Sequence, residues 1–586
     1  MTNQENERRQ GKLRDLLLLV PYIKPHQLKL WTSIGLMITT SLISIFMPMF
    51  TRAAIDNHII GGNLAGLLTI ISIALLLMML MSGANILRAR LMAQLGQNSI
   101  RAVRDDLFAK MQLLPVKFFD KVPVGKLITR LTSDVDALQE LVGNAIVSMV
   151  IDSLRLVGFL VVMFWLDWRL TLITLAVTPI LAFALTYLTS RIGRAEDVVR
   201  EQTSVVNANL QESISGIRVI QGFQAEEYFY EKFQAENHSL LQAGIRAIAT
   251  YSYFWPSVDL SWILSSAAIL FFGGRWVLDG TATPGTLVAI TSYAGQFFGP
   301  LRGLSQAYRV IQRALAGAVR VNEIMSADTE IEETLPPMPP IEGRVEFDHV
   351  TFGYDPEKIV LHDICLQAEP GETIALVGHT GAGKTSIINL LCRFYNPLEG
   401  RILVDGVNIH EHELGSYRQQ IGLVLQEPFL FSGTLRENLL FGNPKAADEE
   451  IWDALHAVGL AETFAQQNVT LDTVLTERGA NFSTGQRQLI SFARALISNP
   501  RILILDEATA HVDTLTEQKI QQALATLLKG RTSFVIAHRL STIRNADQII
   551  VIGNGRILER GTHEELLALK GEYWQLSTSQ MIEQVN

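Results

Sequence analysis

The stretch Gly371–Phe394, GETIALVGHTGAGKTSIINLLCRF, decides how the second half of this chain is read. It runs strand, loop, helix, and Gly378, Gly383, Lys384 and Thr385 fit the spacing G-x-x-x-x-G-K-[S/T] at the point in that unit where the pattern has physical meaning. Backbone N–H groups of Gly378, His379, Thr380, Gly381, Ala382 and Gly383 can wrap phosphates, and the helix opening at Lys384-Thr385-Ser386 adds positive potential. Lys384 reaches the outer phosphates, and the Thr385 hydroxyl suits Mg2+. On either side the sequence agrees: Arg344–Tyr354, RVEFDHVTFGY, alternates as a strand should.

Further on, the apolar run Ile502–Leu505 delivers Asp506 and Glu507 at its end. Two adjacent carboxylates at the C-terminal end of a buried strand suit metal and water chemistry, Asp506 holding Mg2+ and Glu507 polarising an attacking water. His538 follows another apolar strand and is placed to contact a γ-phosphate, although a lone histidine serves structure as readily. Between these motifs Asn481–Leu489, NFSTGQRQL, supplies a third glycine-containing turn that opens a helix. The other motifs look complete without it, so its purpose is a separate question.

At 586 residues the chain is too long for one ordinary domain. Mean hydropathy is +0.22 and charged residues are 18%, which is unusual for a purely soluble protein. The net charge of −9 gives no support for a nucleic-acid partner. The long apolar runs lie before about residue 325. Stretches long enough to cross roughly 30 Å of hydrocarbon begin near residues 29, 65, 141, 169, 256 and 284, which predicts six spans. Ahead of them KLRDLLLLVPYI, residues 12–23, reads as an elbow lying in the membrane interface. No cleavable signal peptide is visible. Arginines and lysines crowd residues 8–14 and 88–130, whereas the opposite loops carry few, so both termini are expected in the cytoplasm.

The acidic, proline-rich run 326–343 marks a linker. The expected domains are residues 1–28, N-terminus and elbow; 29–325, the six-span unit; 326–343, linker; and 344–586, an α/β nucleotide-binding domain. Cys365 and Cys392 stand in no CxxC or His-cluster spacing, so they read as reduced, buried thiols.

Two polar excursions, about residues 88–140 and 192–250, are longer than turns require. Their tips, near Phe118-Phe119-Asp120 and Gly216-Ile217-Arg218, are expected to press on a cytosolic domain. Within the spans, Asp152 and Arg155 stand at i and i+3, where they can neutralise each other. Asp259 sits among Tyr251, Tyr253, Phe254, Trp255 and Trp262. It either meets a bulky apolar cation or faces a polar neighbour or watery cavity for packing reasons. Phe297, in SYAGQFFGP, adds to an apolar wall suited to amphipathic small molecules, and a lipid or lipid-linked flippase would show much the same wall; a membrane protein that uses ATP only as a regulatory ligand is the further alternative.

Taken together, the chain resembles a half-transporter of the ATP-binding-cassette exporter family along essentially its whole length. The residues carrying the resemblance are a Walker A loop at Gly378–Ser386, a Walker B strand ending Asp506-Glu507, a Q-loop at Gln426, a signature at Ser483-Thr484-Gly485-Gln486, a D-loop at Ala510–Asp513 and a switch histidine at His538. Tyr354 matches the aromatic that stacks on adenine, and Thr476–Gly479 matches the exporter segment that touches the coupling helices. The resemblance implies a six-span helical domain followed by a P-loop α/β domain with helical and antiparallel β subdomains. It also implies ATP as ligand, with Thr385, Gln426 and Asp506 around Mg2+, Glu507, His538 and Gln426 catalytic, and a location in the bacterial inner membrane among lipid.

The resemblance also answers the question of the third turn. In this family the signature, here Ser483, Gly485 and Gln486 with Asp513 nearby, covers the nucleotide of a facing cassette. A second half-transporter is therefore implied. The family pattern is Leu-Ser-Gly-Gly-Gln, and this chain has Thr484 at the first glycine, where a β-branched side chain fills space and narrows φ/ψ. Where the backbone is strained at that position, closing the ATP site it covers is expected to cost roughly 1 kcal/mol or more. Together with His511 in the D-loop, this favours a heterodimer with unequal sites over a homodimer that tolerates Thr484.

Overall fold

The computed structural model describes residues 13–330, 335–506, 514–536 and 543–585. Contacts divide the chain into two compact units, residues 1–111 with 125–326, and residues 112–124 with 327–586.

The first unit is helical. Its long helices are α1 (Gln27–Ala53), α2 (Leu64–Gln112), α3 (Ile146–Leu166), α4 (Trp168–Ser215), α5 (Glu226–Ser252), α6 (Phe254–Leu278) and α7 (Pro284–Met325). Six of these start within a few residues of the expected span starts; α5 is the returning limb of the second excursion. Among the described residues, three helical segments are long and apolar enough to cross a membrane: Arg14–Ile59, Leu64–Gln112 and Val124–Leu166. The apolar helix Trp262–Leu278 is shorter. A helix of the 49 residues of α2 extends about 70 Å, more than twice the hydrocarbon thickness. Its composition divides accordingly. Leu68, Leu76 and Met79 in the first half are exposed, whereas Met92, Leu95, Ile100, Val103 and Leu107 are buried.

Ion pairs fasten the polar ends of this unit. Buried Asp134 receives a two-pronged guanidinium from Arg320, with Nε to Oδ2 at 2.7 Å, the strongest geometry such a pair adopts. Arg130 to Glu323 and Arg313 to Glu140, each at 3.1 Å, repeat the link between α7 and the segment before α3. By contrast, no ion pair joins Asp152 and Arg155 among the described residues, and Arg155 Nε is buried without a hydrogen-bond partner. The i, i+3 spacing brings two side chains to one helical face. The two charges still attract each other without direct contact, and the Asp152 carboxylate packs against Gly303.

The second unit is α/β. Its strands are β1 (Val345–Phe352), β2 (Leu361–Ala368), β3 (Thr373–Val377), β4 (Glu399–Val404), β5 (Val407–Asn408), β6 (Ile421–Val424), β7 (Gly433–Thr434), β8 (Val474–Leu475), β9 (Ile502–Asp506), β10 (Thr532–Ile536), β11 (Gln548–Gly553) and β12 (Arg556–Gly561). The main sheet has order β12-β11-β3-β10-β9-β6 and is parallel except for β12. Near-unbroken apolar runs make β3, β9 and β10 strands that are buried on both faces, as a parallel sheet covered by helices requires. An antiparallel sheet, β2-β1-β4-β5, alternates buried and exposed positions instead.

Candidate nucleotide site

The loop after β3 is shaped by glycines that nothing else can replace. Gly381 and Gly383 have φ of +83° and +109°, and a Cβ on Gly383 would lie 2.6 Å from Leu361 Cδ2. The chain then enters α8 (Lys384–Leu391), whose cap is Gly383 itself. Lys384 is buried, and its Nζ donates to the carbonyls of Gly378 at 2.5 Å and His379 at 3.0 Å, on the inner side of the loop. Burial pushes its ammonium below the ordinary lysine range, and the Asp506 carboxylate partly offsets that. Thr385 stands exposed on the first turn of α8, while Ser386 is buried.

Sheet register assembles the acidic side. β9 ends at Asp506 and pairs with β6, Val424 opposite Leu505, so Gln426 follows on the edge where Asp506 stands. Thr385, Gln426 and Asp506 present hydroxyl, amide and carboxylate oxygens, the hard donors that suit Mg2+. Glu507, His511, Asp513 and His538 lie outside the described residues.

Tyr354 flanks the loop. Its hydroxyl lies 3.1 Å from Ser386 Oγ and accepts from Asn389 at 3.1 Å. Its ring meets those of Phe352 and Tyr395 edge-on at 5.0 and 4.9 Å. The buried Tyr395 in turn donates its hydroxyl to Asp120, on the short helix Val116–Lys121 at the tip of the first excursion. The tip expected to press on a cytosolic domain thus belongs to the same unit as the nucleotide loop, two aromatic rings away from Ser386. Glu330 reinforces this assembly: its N–H donates to Leu113 O, and its carboxylate takes both arms of Arg418.

The signature turn opens α9 (Thr484–Ile497). Ser483 and Gln486 cap each other reciprocally, with Gln486 N–H to Ser483 Oγ at 3.2 Å and Ser483 N–H to Gln486 Oε1 at 3.0 Å. Gly485 is buried. Thr484 is the first residue of the helix and does not have positive φ; its Oγ1 accepts from Arg487 at 3.1 Å. The backbone strain expected at Thr484 is therefore absent. Among the described residues no hydrogen bond or ion pair joins residues 483–486 to the loop 378–386.

Of the membrane-side residues, Phe297 is buried, Asp259 and Trp262 are exposed, and the side chain of Trp255 lies outside the description. They do not form one enclosed site among the described residues.

The profile of the ABC transporter transmembrane region matches residues 30–301, and that of the ABC transporter ATPase domain matches residues 361–510. The "Uncharacterized ABC transporter ATP-binding protein YknV" of Bacillus subtilis (strain 168) is 40% identical over 559 residues, 95% of this chain and 92% of that protein. This chain belongs to the ABC transporter family. The "ATP-dependent lipid A-core flippase" of Syntrophus aciditrophicus is 35% identical over 96% of this chain and 94% of that one. "Probable multidrug resistance ABC transporter ATP-binding/permease protein YheH" of B. subtilis is 39% identical over 81% and 71%. A solved bacterial Atm1-family ABC exporter with ATP bound superposes with a TM-score of 0.76 at 26% identity, covering 94% of this chain and 98% of that one. The chain is a multi-pass membrane ATPase of the exporter type that binds ATP and couples its hydrolysis to transport; such exporters work as dimers.

Proposed function

We propose that this chain is one subunit of a dimeric exporter in the bacterial cytoplasmic membrane that moves amphipathic, drug-like compounds outward. Both termini are cytoplasmic, six helices span the bilayer, and residues 344–586 form the nucleotide-binding domain. Lys384 and the loop 378–386 hold the ATP phosphates, Tyr354 stacks on adenine, and Thr385, Gln426 and Asp506 hold Mg2+. Glu507 activates the attacking water, with His538 at the γ-phosphate. Asp259, Trp255, Trp262 and Phe297 belong to the wall that meets the transported compound.

One observation carries the dimer: each chain holds one phosphate loop and one signature turn, and among the described residues no hydrogen bond or ion pair joins them. The turn's free N-terminal face is then available to a nucleotide on another chain, together with Asp513. The second excursion supports the same reading, since around Gly216 the apolar Ile214, Val219 and Phe223 are 70%, 62% and 82% exposed. With strain removed, the case for a heterodimer rests on volume: the Thr484 side chain occupies space that a glycine leaves to phosphate. The likeness to YheH supports drug-like cargo. The likeness to a lipid A-core flippase, at full length, favours a second reading, a homodimeric lipid flippase.

Purification of the chain expressed alone separates the two. A heterodimer subunit yields weak, cargo-insensitive ATPase activity until its partner is added. A stable homodimer with brisk, cargo-stimulated turnover overturns the unequal-site reading. In either assembly Glu507→Gln is expected to retain ATP binding and lose nearly all turnover.

A further inference from the structure

We infer that His349, Asp363 and Cys365 form a transition-metal site on the outer face of the antiparallel sheet, taking Zn2+ with one water in the remaining position. The inference is independent of what the transporter carries.

Strand register brings the three together. β1 and β2 pair Phe347 with Leu366 and then Val350 with Ile364, so Asp348 and His349 face Cys365 alone. The next interval, to Phe352 opposite Leu361, places His362 and Asp363 against Thr351. Each interval is a bulge, one on each strand. The bulged residues His349 and Asp363 both have φ of +50°, a left-handed conformation unusual for side chains other than glycine. Opposed bulges turn both side chains onto the face that carries Cys365.

The donor atoms are already close. His349 Nδ1 lies 2.6 Å from Asp363 Oδ1 and 3.5 Å from Cys365 Sγ, and all three donors fall within 4.8 Å of one another. Metal bonds of about 2.0–2.3 Å at tetrahedral angles place donors roughly 3.3–3.8 Å apart. The imidazole–thiol distance fits as it stands. The imidazole–carboxylate pair opens slightly as the ion takes the place of the proton between them. Thiolate, imidazole and carboxylate together select Zn2+ over Mg2+ or Ca2+. Binding releases the thiol proton and the shared His349–Asp363 proton. Asp348, the neighbouring acid, is held by Arg401 at 2.8 Å. The other cysteine, Cys392, is buried and does not compete.

Titration of the tag-free full-length chain in detergent with Co2+ tests the site. One equivalent is expected to raise the near-ultraviolet thiolate-to-cobalt band, which Zn2+ extinguishes. Zn2+ is also expected to shield Cys365 from maleimide, mapped by peptide mass. Cys365→Ser should abolish the band, and His349→Ala or Asp363→Asn should each weaken Zn2+ binding at least about tenfold. These positions lie on the sheet's outer face, so wild-type ATPase activity in each variant verifies folding. No band, a band that survives Cys365→Ser, or unchanged affinity in His349→Ala would overturn the assignment.

Discussion

Tyr395→Phe removes one O–H and leaves every ring contact in place, which makes it the cleanest cut between the first excursion and the nucleotide loop. The phenol is buried against Phe352 and Tyr354 and donates to the Asp120 carboxylate. Burial and that bond both push its pKa upward, so it stays a donor throughout the working pH range. Hydrogen bonds to charged groups contribute about 1.5–3 kcal/mol. Asp120 is exposed, which places this one near the low end, about 1–1.5 kcal/mol. If the bond holds in one transport conformation and breaks in the other, its loss shifts their balance about five- to thirteenfold. The readout is ATPase activity of the assembled transporter in lipid nanodiscs, with and without cargo. Tyr395→Phe is expected to reduce cargo stimulation by that factor and to change the KM for ATP less than about twofold, because the Tyr354 ring keeps its neighbours. Asp120→Ala should match it, and the double variant should be no worse than either single one. Full stimulation in Tyr395→Phe, or losses that simply multiply, would refute the coupling role.

Lys384→Ala removes the buried cation of the phosphate loop and is expected to raise the Kd for ATP at least about tenfold, measured by fluorescent-nucleotide titration. Thr484→Gly should lower stability of the α/β unit by about 1 kcal/mol, through a helix-start glycine and the lost Arg487 bond, while raising turnover at the site this signature covers; unchanged turnover would remove the argument for unequal sites. His410 is half-buried beside Arg393, with Nε2 shut off from solvent and unpartnered, and desolvation pushes its pKa down to about 4. Its folded pKa lies below its unfolded value, so the unfolded chain binds the extra proton, and stability falls as pH drops from about 6.5 to 4. The loss is on the order of 2 kcal/mol at pH 5 and levels off below pH 4. His410→Gln should flatten that slope in the thermal unfolding transition of the α/β unit.

The nucleotide loop, its strand and its helix were legible because phosphate binding imposes spacing and conformation within a few consecutive residues. Gly383 must accept positive φ, and Lys384 must follow it, whatever the rest of the chain does. The starts of the long helices were legible from hydropathy for the same local reason. The bonds that organise each unit were not. Tyr395 and Asp120 are 275 positions apart, Arg320 and Asp134 are 186 apart, and either pair becomes visible only once helices and strands are placed. The cysteine reading held in part: both thiols are free and Cys392 is buried, whereas Cys365 is only partly buried. What the chain order hides is that His349, 16 positions away, stands beside Cys365 across the strand pair.

Thr484 shows where a family pattern misleads. A glycine in a motif invites the inference that the backbone needs its freedom, yet this position is the first turn of a right-handed helix, which any L residue enters. What a glycine provides there is missing volume, not unusual φ. The consequence for function differs accordingly. Strain would destabilise the cassette in every state, with or without a facing chain. A side chain that merely occupies space costs nothing until a nucleotide held by another chain approaches the α9 N-terminus. The cost of Thr484 to phosphate contact would therefore fall on the closed dimer, and on one of its two ATP sites were the facing signature to carry glycine.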